Sequence, residues 1–345
     1  MMFGTSTAIL ASTFPPEKRG AVLGINITAV YIGLVAGPSV GGILTQYLGW
    51  RSIFFAIVPL SLTIMFLILW KMKGEWADAS GEGFDLKGSI LYVISLLMMT
   101  YGFSTLTSLR GIISAAIGTL FLALFGLWEL KIYNPILDLR IFTYNRAFTF
   151  SNLATLFNYM ATFAVGFLLN LYLQYIKGLS PKDAGLILVI QPLVMALFSP
   201  LAGKLSDHME PRLIASTGMA VTTIGLLTLA LLNVKTELVY ICTSLLIVGL
   251  GFAFFASHNM NAALSSVDRK IYGVASGTLA TVGIIGQMLS MGVTLLAFAL
   301  FMGHVQITPV YFLPFLQSLR TTFVILSILC FIGIFASLAR GKVRQ

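Results

Sequence analysis

Between residues 147 and 174, Asn152, Tyr159, Phe163, Asn170 and Gln174 recur at spacings of seven, four, seven and four. At 3.6 residues per turn these intervals place all five on one face of a helix. Amides, a phenol and a phenyl ring orient small molecules through hydrogen bonds and ring contact. None of them is a nucleophile or base at neutral pH. The stripe therefore reads either as the wall of a pathway or as hydrogen-bonding glue between helices. Gln287 adds an amide in a later apolar run. Asn158 lies about 100° around the helix from Tyr159 and is expected to bond a neighbouring helix.

Other chemistry is thinly supplied. His208 and His304 fall in loops, and His258 sits with Asn259 and Asn261 near the end of an apolar run, so the histidines have no metal-ligand spacing. Cys242 and Cys330 both lie in apolar runs and read as packing residues. No Asp or Glu lies deep in an apolar run. Glu129, at the end of one, reads as an interfacial charge. No P-loop, dinucleotide fingerprint or nucleophile–base constellation occurs. The sequence predicts no catalytic residue, no metal and no cofactor.

The elements that must position these residues are membrane helices. Of 345 residues, 58% are hydrophobic and 10% charged, against about 25% charged in a soluble domain. Ten apolar runs, near 21–45, 52–70, 88–106, 112–128, 147–174, 183–202, 212–232, 238–264, 271–302 and 320–339, reach the ~17–25 helical residues a bilayer requires. They lack the alternation of membrane β-strands. The chain reads as an all-α integral membrane bundle. Alternate loops differ in charge: one set holds only Arg51, Arg110, Lys177, Lys182, Lys235 and Arg320, the other the remaining 15 of 21 basic residues. The positive-inside rule puts Lys18 and Arg344 in the cytoplasm. The net charge of +9 is thus explained by topology, and no nucleic-acid partner is expected.

One run carries a dense set of helix breakers: Gly33, Gly37, Pro38, Gly41 and Gly42. In a soluble helix each Gly costs roughly 1 kcal/mol and Pro about 3. In a bilayer, small residues let backbones approach closely and neighbours re-satisfy the bond that Pro removes. Gly33, Gly37 and Gly41, four apart, form a stripe that reads as a close, sliding contact. A weak repeat sets Gly20, Gly24, Thr28, Ile32 and Gly33 over Gly273, Gly277, Thr281, Ile285 and Gly286. Parallel repeats of this kind occur in transporters. Gln191-Pro192 and Pro200 mark expected kinks. Residues 1–14 are apolar but, at 1.5 Å per residue, span only about 21 Å, short of the ~30 Å hydrocarbon core.

The Gly33–Gly42 segment resembles the glycine-proline signature of the fifth helix in antiporters of the major facilitator superfamily, with Pro16, Arg19, Gly20 and Gly24 resembling its lead-in. Phe84-Asp85-Leu86-Lys87-Gly88 and Pro135 to Phe142 resemble segments of the fourteen-helix drug:proton antiporter branch. Gly203, Asp207 and Arg212 resemble the superfamily's cytoplasmic gating loop, although His208, Glu210 and Pro211 depart from its basic pattern.

The resemblance implies that Met1 falls inside a fourth helix, so that an N-terminal segment is missing. It implies residues 1–70 as the remnant of an N-terminal bundle, 71–87 as a cytoplasmic linker, 88–130 as two extra central helices and 131–345 as a C-terminal six-helix bundle. It also implies a plasma-membrane carrier that expels small amphipathic or cationic compounds by alternating access, with protons as counter-ion. The other expectation from the residues is a fragment or subunit that transports nothing without a partner.

Overall fold

The computed structural model describes residues 2–71, 85–105, 108–132, 135–206, 209–303, 305 and 307–341. They form α1 (Met2–Thr13), α2 (Pro16–Leu48), α3 (Arg51–Lys71), α4 (Leu86–Ser104), α5 (Leu109–Glu129), α6 (Ile141–Tyr144), α7 (Arg146–Thr162), α8 (Ala164–Leu171), α9 (Pro181–Leu188), α10 (Ile190–Ser206), α11 (Pro211–Ala230), α12 (Leu238–Ser265), α13 (Tyr272–Phe301) and α14 (Phe312–Ala339). Ten spans of membrane length result, each matching one apolar run of the sequence. Most of the 71–87 segment, Asp207, His208 and His304 lie outside the described residues.

Side chains start several of these helices. Asp85 accepts from the Gly88 N–H at 3.0 Å, Ser108 from Gly111 at 3.1 Å, Asn145 from Phe148 at 2.9 Å and Ser180 from Asp183 at 3.1 Å. Each satisfies a backbone donor that a helix start leaves free. Two spans are interrupted within the bilayer. Between α7 and α8 the Ala164 N–H donates to the Ser290 hydroxyl of α13 at 3.1 Å, an inserted side chain that breaks the ladder. Between α9 and α10 the break falls at Val189, where Pro192 has no N–H to offer the preceding turn. At Pro200, by contrast, α10 runs on without a break.

Glycine sets the closest helix contacts. An added Cβ on Gly203 would stand 2.5 Å from the Gly20 carbonyl oxygen, and one on Gly24 would stand 2.6 Å from that of Ser199. The α2 and α10 backbones therefore touch. Gly118 of α5 meets the Met99 backbone of α4 in the same way, and Gly218 of α11 meets Gly251 of α12. Lipid offers no hydrophobic drive for association, so such close van der Waals contact is what holds the helices. The main core lies among α7, α8, α11, α12 and α14, around Leu168, Met219, Phe255, Phe323 and Leu326. By contrast, α3 buries no residue among those described, which suits a helix against lipid. The short α1 packs on α13 and α2, with Ala11 fully buried.

Candidate functional site: a central aromatic cavity

A cavity of about 1640 Å³ opens between α2, α7, α10, α12 and α13, with α4 and α5 at one edge. Its wall is built around Phe252 of α12. Tyr31 of α2 meets that ring edge-on at 6.2 Å and Tyr159 of α7 meets it edge-on at 5.4 Å, both at 86°. Edge-to-face pairs at this spacing are favourable and fix ring orientation. Tyr92 of α4 and Phe125 of α5 stack at 4.9 Å on the opposite margin. Its polar groups include Gln191, Gln287, Asn259, Thr155, Thr162, Thr278 and Thr281. The charged residue of the described lining is Lys182.

Asn259 shows how α7 and α12 position a polar group. It is 3% exposed, and its Nδ2 donates to the Ser151 carbonyl at 3.1 Å and to Thr155 Oγ1 at 2.7 Å. A backbone carbonyl only accepts, so the amide orientation is fixed and Oδ1 is the free acceptor. That Oδ1 has no hydrogen-bond partner. Neighbouring polar atoms are also unpaired: His258 Nε2, Asn152 Oδ1, both amide atoms of Asn158, and the hydroxyls of Ser151 and Ser257. His258 Nδ1 lies 2.7 Å from the Phe254 carbonyl, which makes it the protonated nitrogen. Each buried unpaired group costs about 1–3 kcal/mol, so the α7–α12 seam is where this fold gives up stability for polarity.

The cavity takes in Tyr159, Phe163 and Gln287. Asn152, Asn170 and Gln174 are not among its lining. Asn152 donates to the Phe148 carbonyl at 2.9 Å, and Gln174 donates to Asn170 Oδ1 at 2.8 Å. α7 ends at Thr162 and a π-helical turn covers Tyr172–Ile176, but Asn152 lies with Tyr159 in unbroken α7, and Asn170 and Gln174 keep their one-turn spacing. Asn158 is fully buried beside the seam. Gly33, Gly37, Pro38, Gly41 and Gly42 all lie in α2. Among the described residues, no atom comes within 4 Å of a Cβ added at Gly33 or Gly37. In the gating-loop segment Gly203 is the α2 contact, and Arg212 Nε is buried without a hydrogen bond.

Three features were not read from the sequence. Tyr31 and Phe252 complete the aromatic wall, and only the α2–α12 approach brings them together. Arg340, 2% exposed, donates to the Ser337 carbonyl at 2.9 Å and hydroxyl at 2.6 Å. Burial lowers its pKa to about 9, with the Glu210 charge acting in the opposite sense. The third is the cover over Glu129: the residue ends α5, as the sequence places it, but is only 2% exposed. The segment after α5 folds back over it, and Leu137 N–H donates to its Oε2 at 3.1 Å.

A multi-pass helical bundle around a polar-studded aromatic cavity, with no strand among the described residues, is the architecture of a membrane carrier. Residues 1–144 and 152–344 match the Major Facilitator Superfamily, and the chain belongs to that family. Among its relatives, the riboflavin transporter RibZ of Clostridioides difficile is 33% identical over 284 residues, 82% of this chain and 61% of that protein. The multidrug resistance protein Stp of Mycobacterium tuberculosis is 27% identical over 299 residues, 84% of this chain and 54% of its own. The methyl viologen resistance protein SmvA of Salmonella typhimurium is 30% identical over 247 residues, 69% and 49% respectively. The chain thus spans between half and three fifths of the length of these relatives. The nucleoside transporter NupG shares the fold, with a TM-score of 0.50 at 14% identity over 99% of this chain and 87% of that one. These relatives and neighbours are transporters rather than enzymes.

Proposed function

We propose that this chain moves small amphipathic ring compounds across the plasma membrane by alternating access, outward, in exchange for protons, with its C-terminus in the cytoplasm. The observation that carries the reading is the aromatic wall of Tyr31, Tyr159 and Phe252 in a cavity of about 1640 Å³. Such a cavity buries a planar ligand by ring contact and orients it through a few amides. The relatives named for riboflavin and for multidrug resistance support cargo of this shape. Because the charged group of the described lining is the cation Lys182, neutral ring systems fit it better than cations do. The uncovered α2 face at Gly33 and Gly37 is left for a moving helix contact.

The test is reconstitution of the chain in liposomes with an imposed pH gradient, offering riboflavin, ethidium and methyl viologen. Gradient-driven accumulation of riboflavin is expected, ahead of the cations ethidium and methyl viologen. No movement of any of the three, under either gradient direction, would end the reading. A second reading, a membrane subunit that works only with a partner polypeptide, is favoured by that same uncovered face. Transport by the chain alone would dispose of it.

A further inference from the structure

Two carboxylates meet at one end of the bundle, where α4 begins and α5 ends. Asp85 is 7% exposed and Glu129 2% exposed. A Cβ added to Gly88 would collide with Asp85 Oδ2 and stand 2.8 Å from Glu129 Oε1. The two oxygens therefore flank one point, within the ~4–6 Å over which one ionised carboxylate opposes the ionisation of a second.

The two differ in what they bond. Asp85 is fully engaged. Its Oδ1 accepts from the Gly88 N–H at 3.0 Å, and Trp128 Nε1 donates to its two oxygens at 3.2 and 3.0 Å. Lys87 stands over the Trp128 ring at 5.4 Å. These donors leave neither Asp85 oxygen without a hydrogen bond. Glu129 is met by the backbone N–H groups of Leu137, at 3.1 Å on Oε2, and of Ile136, while its buried Oε1 has no hydrogen-bond partner.

The other charged groups nearby are Lys87, Lys131, Asp138 and Arg140, all exposed. Arg140 turns its guanidinium to the Leu130 carbonyl at 3.3 Å. The other helix packed on α4, α13, carries no charged residue. A buried carboxylate oxygen beside a second carboxylate, with no cation against it and no donor on that oxygen, is satisfied by a proton.

We propose that Glu129, set against Asp85, is a proton-binding group of this carrier. The proton adds to Oε1 when the site is closed and leaves as a bare proton to water when the 135–140 segment lifts. No bond other than O–H changes. The site adjoins the cavity: Leu137, which holds Glu129, and Phe125, one turn earlier on α5, both line it. A cargo that displaces Leu137 would expose Glu129, which links cargo movement to proton release. This rests on the reading of the chain as a proton-coupled carrier.

Infrared spectroscopy of the purified chain in nanodiscs at neutral pH tests the site itself. The expected result is the carbonyl stretch of a neutral carboxylic acid, lost in Glu129→Gln and weakened in Asp85→Asn, which removes the opposing carboxylate. No such band in the wild type, or a band that persists in Glu129→Gln, would overturn the proposal. Proteoliposomes with riboflavin and ethidium as probes test the link. Glu129→Gln is expected to lose pH-driven accumulation while keeping exchange without a gradient. Accumulation that survives unchanged in Glu129→Gln would also overturn the proposal. If the wild type never accumulates either probe, the antiport reading falls instead, and the band alone decides whether Glu129 holds a proton.

Discussion

Replacing Gly24 with Ala puts the α2–α10 seam under a strain whose size follows from its geometry. The new Cβ would stand 2.6 Å from the Ser199 carbonyl oxygen and 3.1 Å from Gly203 Cα, where ordinary contact begins at 3.4 Å. Both atoms belong to backbone, so no side chain can swing aside. One helix must retreat by nearly an ångström. Overpacking of this kind costs about 1–3 kcal/mol. The retreat also lengthens the Thr28 Oγ1 bond to the Ala196 carbonyl, already 3.3 Å, a loss of about 1 kcal/mol. Ala is the better helix former by roughly 1 kcal/mol, which offsets part of this. The net expectation is a destabilisation of about 1–3 kcal/mol. Gly37→Ala meets nothing within 4 Å among the described residues, so only the helix-propensity gain remains. The two variants should therefore move the unfolding midpoint in detergent in opposite directions. Because Ile27 and Tyr31 follow Gly24 along α2 into the cavity wall, Gly24→Ala should also weaken riboflavin binding, read by fluorescence quenching. A Gly24→Ala protein as stable as wild type, or a Gly37→Ala protein that falls as far, would refute the placement of the close contact.

Three further substitutions bear on the site. Tyr159→Ala removes one ring from the Phe252 wall, and ring pairs contribute about 0.5–1.5 kcal/mol beyond burial. Riboflavin affinity should drop by up to about tenfold while Leu153→Ala, on an exposed position of the same helix, changes nothing. Asn259→Leu removes the bonds to the Ser151 carbonyl and Thr155 Oγ1, though the Thr155 hydroxyl still donates to that carbonyl at 2.9 Å. The cost is about 0.5–1.5 kcal/mol per bond lost, visible as a lower unfolding midpoint. Gly88→Ala forces a Cβ into the Asp85 and Glu129 carboxylates. It should break the α4 cap, worth about 0.5–2 kcal/mol, and quench less of the Trp128 fluorescence as that ring loses its Asp85 bond.

What the sequence revealed is what depends on neighbours along the chain. The spans follow from run length, and the α9–α10 break follows from a proline that has no N–H. The caps at Asp85 and Ser180 are local as well. The glycine contacts were legible only in part. Spacing says that Gly33, Gly37 and Gly41 make a smooth stripe, but not that Gly24 is the residue that meets Gly203, because the partner lies on a distant element. The break after α7 was hidden for a related reason. The stripe's spacing assumes an unbroken helix, and the Ser290 hydroxyl that interrupts it comes from α13. Glu129 does end a span, but the burial of its carboxylate was not legible, because nothing within a turn of it supplies the cover. Its cover is Leu137, eight residues on and around a corner.

The cavity wall is held on its two sides by contacts of different kinds. On the α7 side, buried side chains cross between helices at short range: Asn259 to Thr155 at 2.7 Å and Ser290 to the Ala164 N–H at 3.1 Å. On the α2 side, smooth glycine faces meet. The polar contacts there are long, with Thr28 to Ala196 at 3.3 Å and Arg19 to Ser265 at 3.5 Å, and the Arg19 guanidinium lies 5.2 Å from the Tyr272 ring centre. Breaking a short buried bond strands polar groups in a low-dielectric interior, whereas glycine faces slide without stranding any. The seam that costs less to open is therefore α2 against α10 and α12. Opening it would carry Tyr31 away from Phe252 and leave Tyr159 in place, so one half of the aromatic clamp moves with α2 while the other half stays with the hydrogen-bonded bundle.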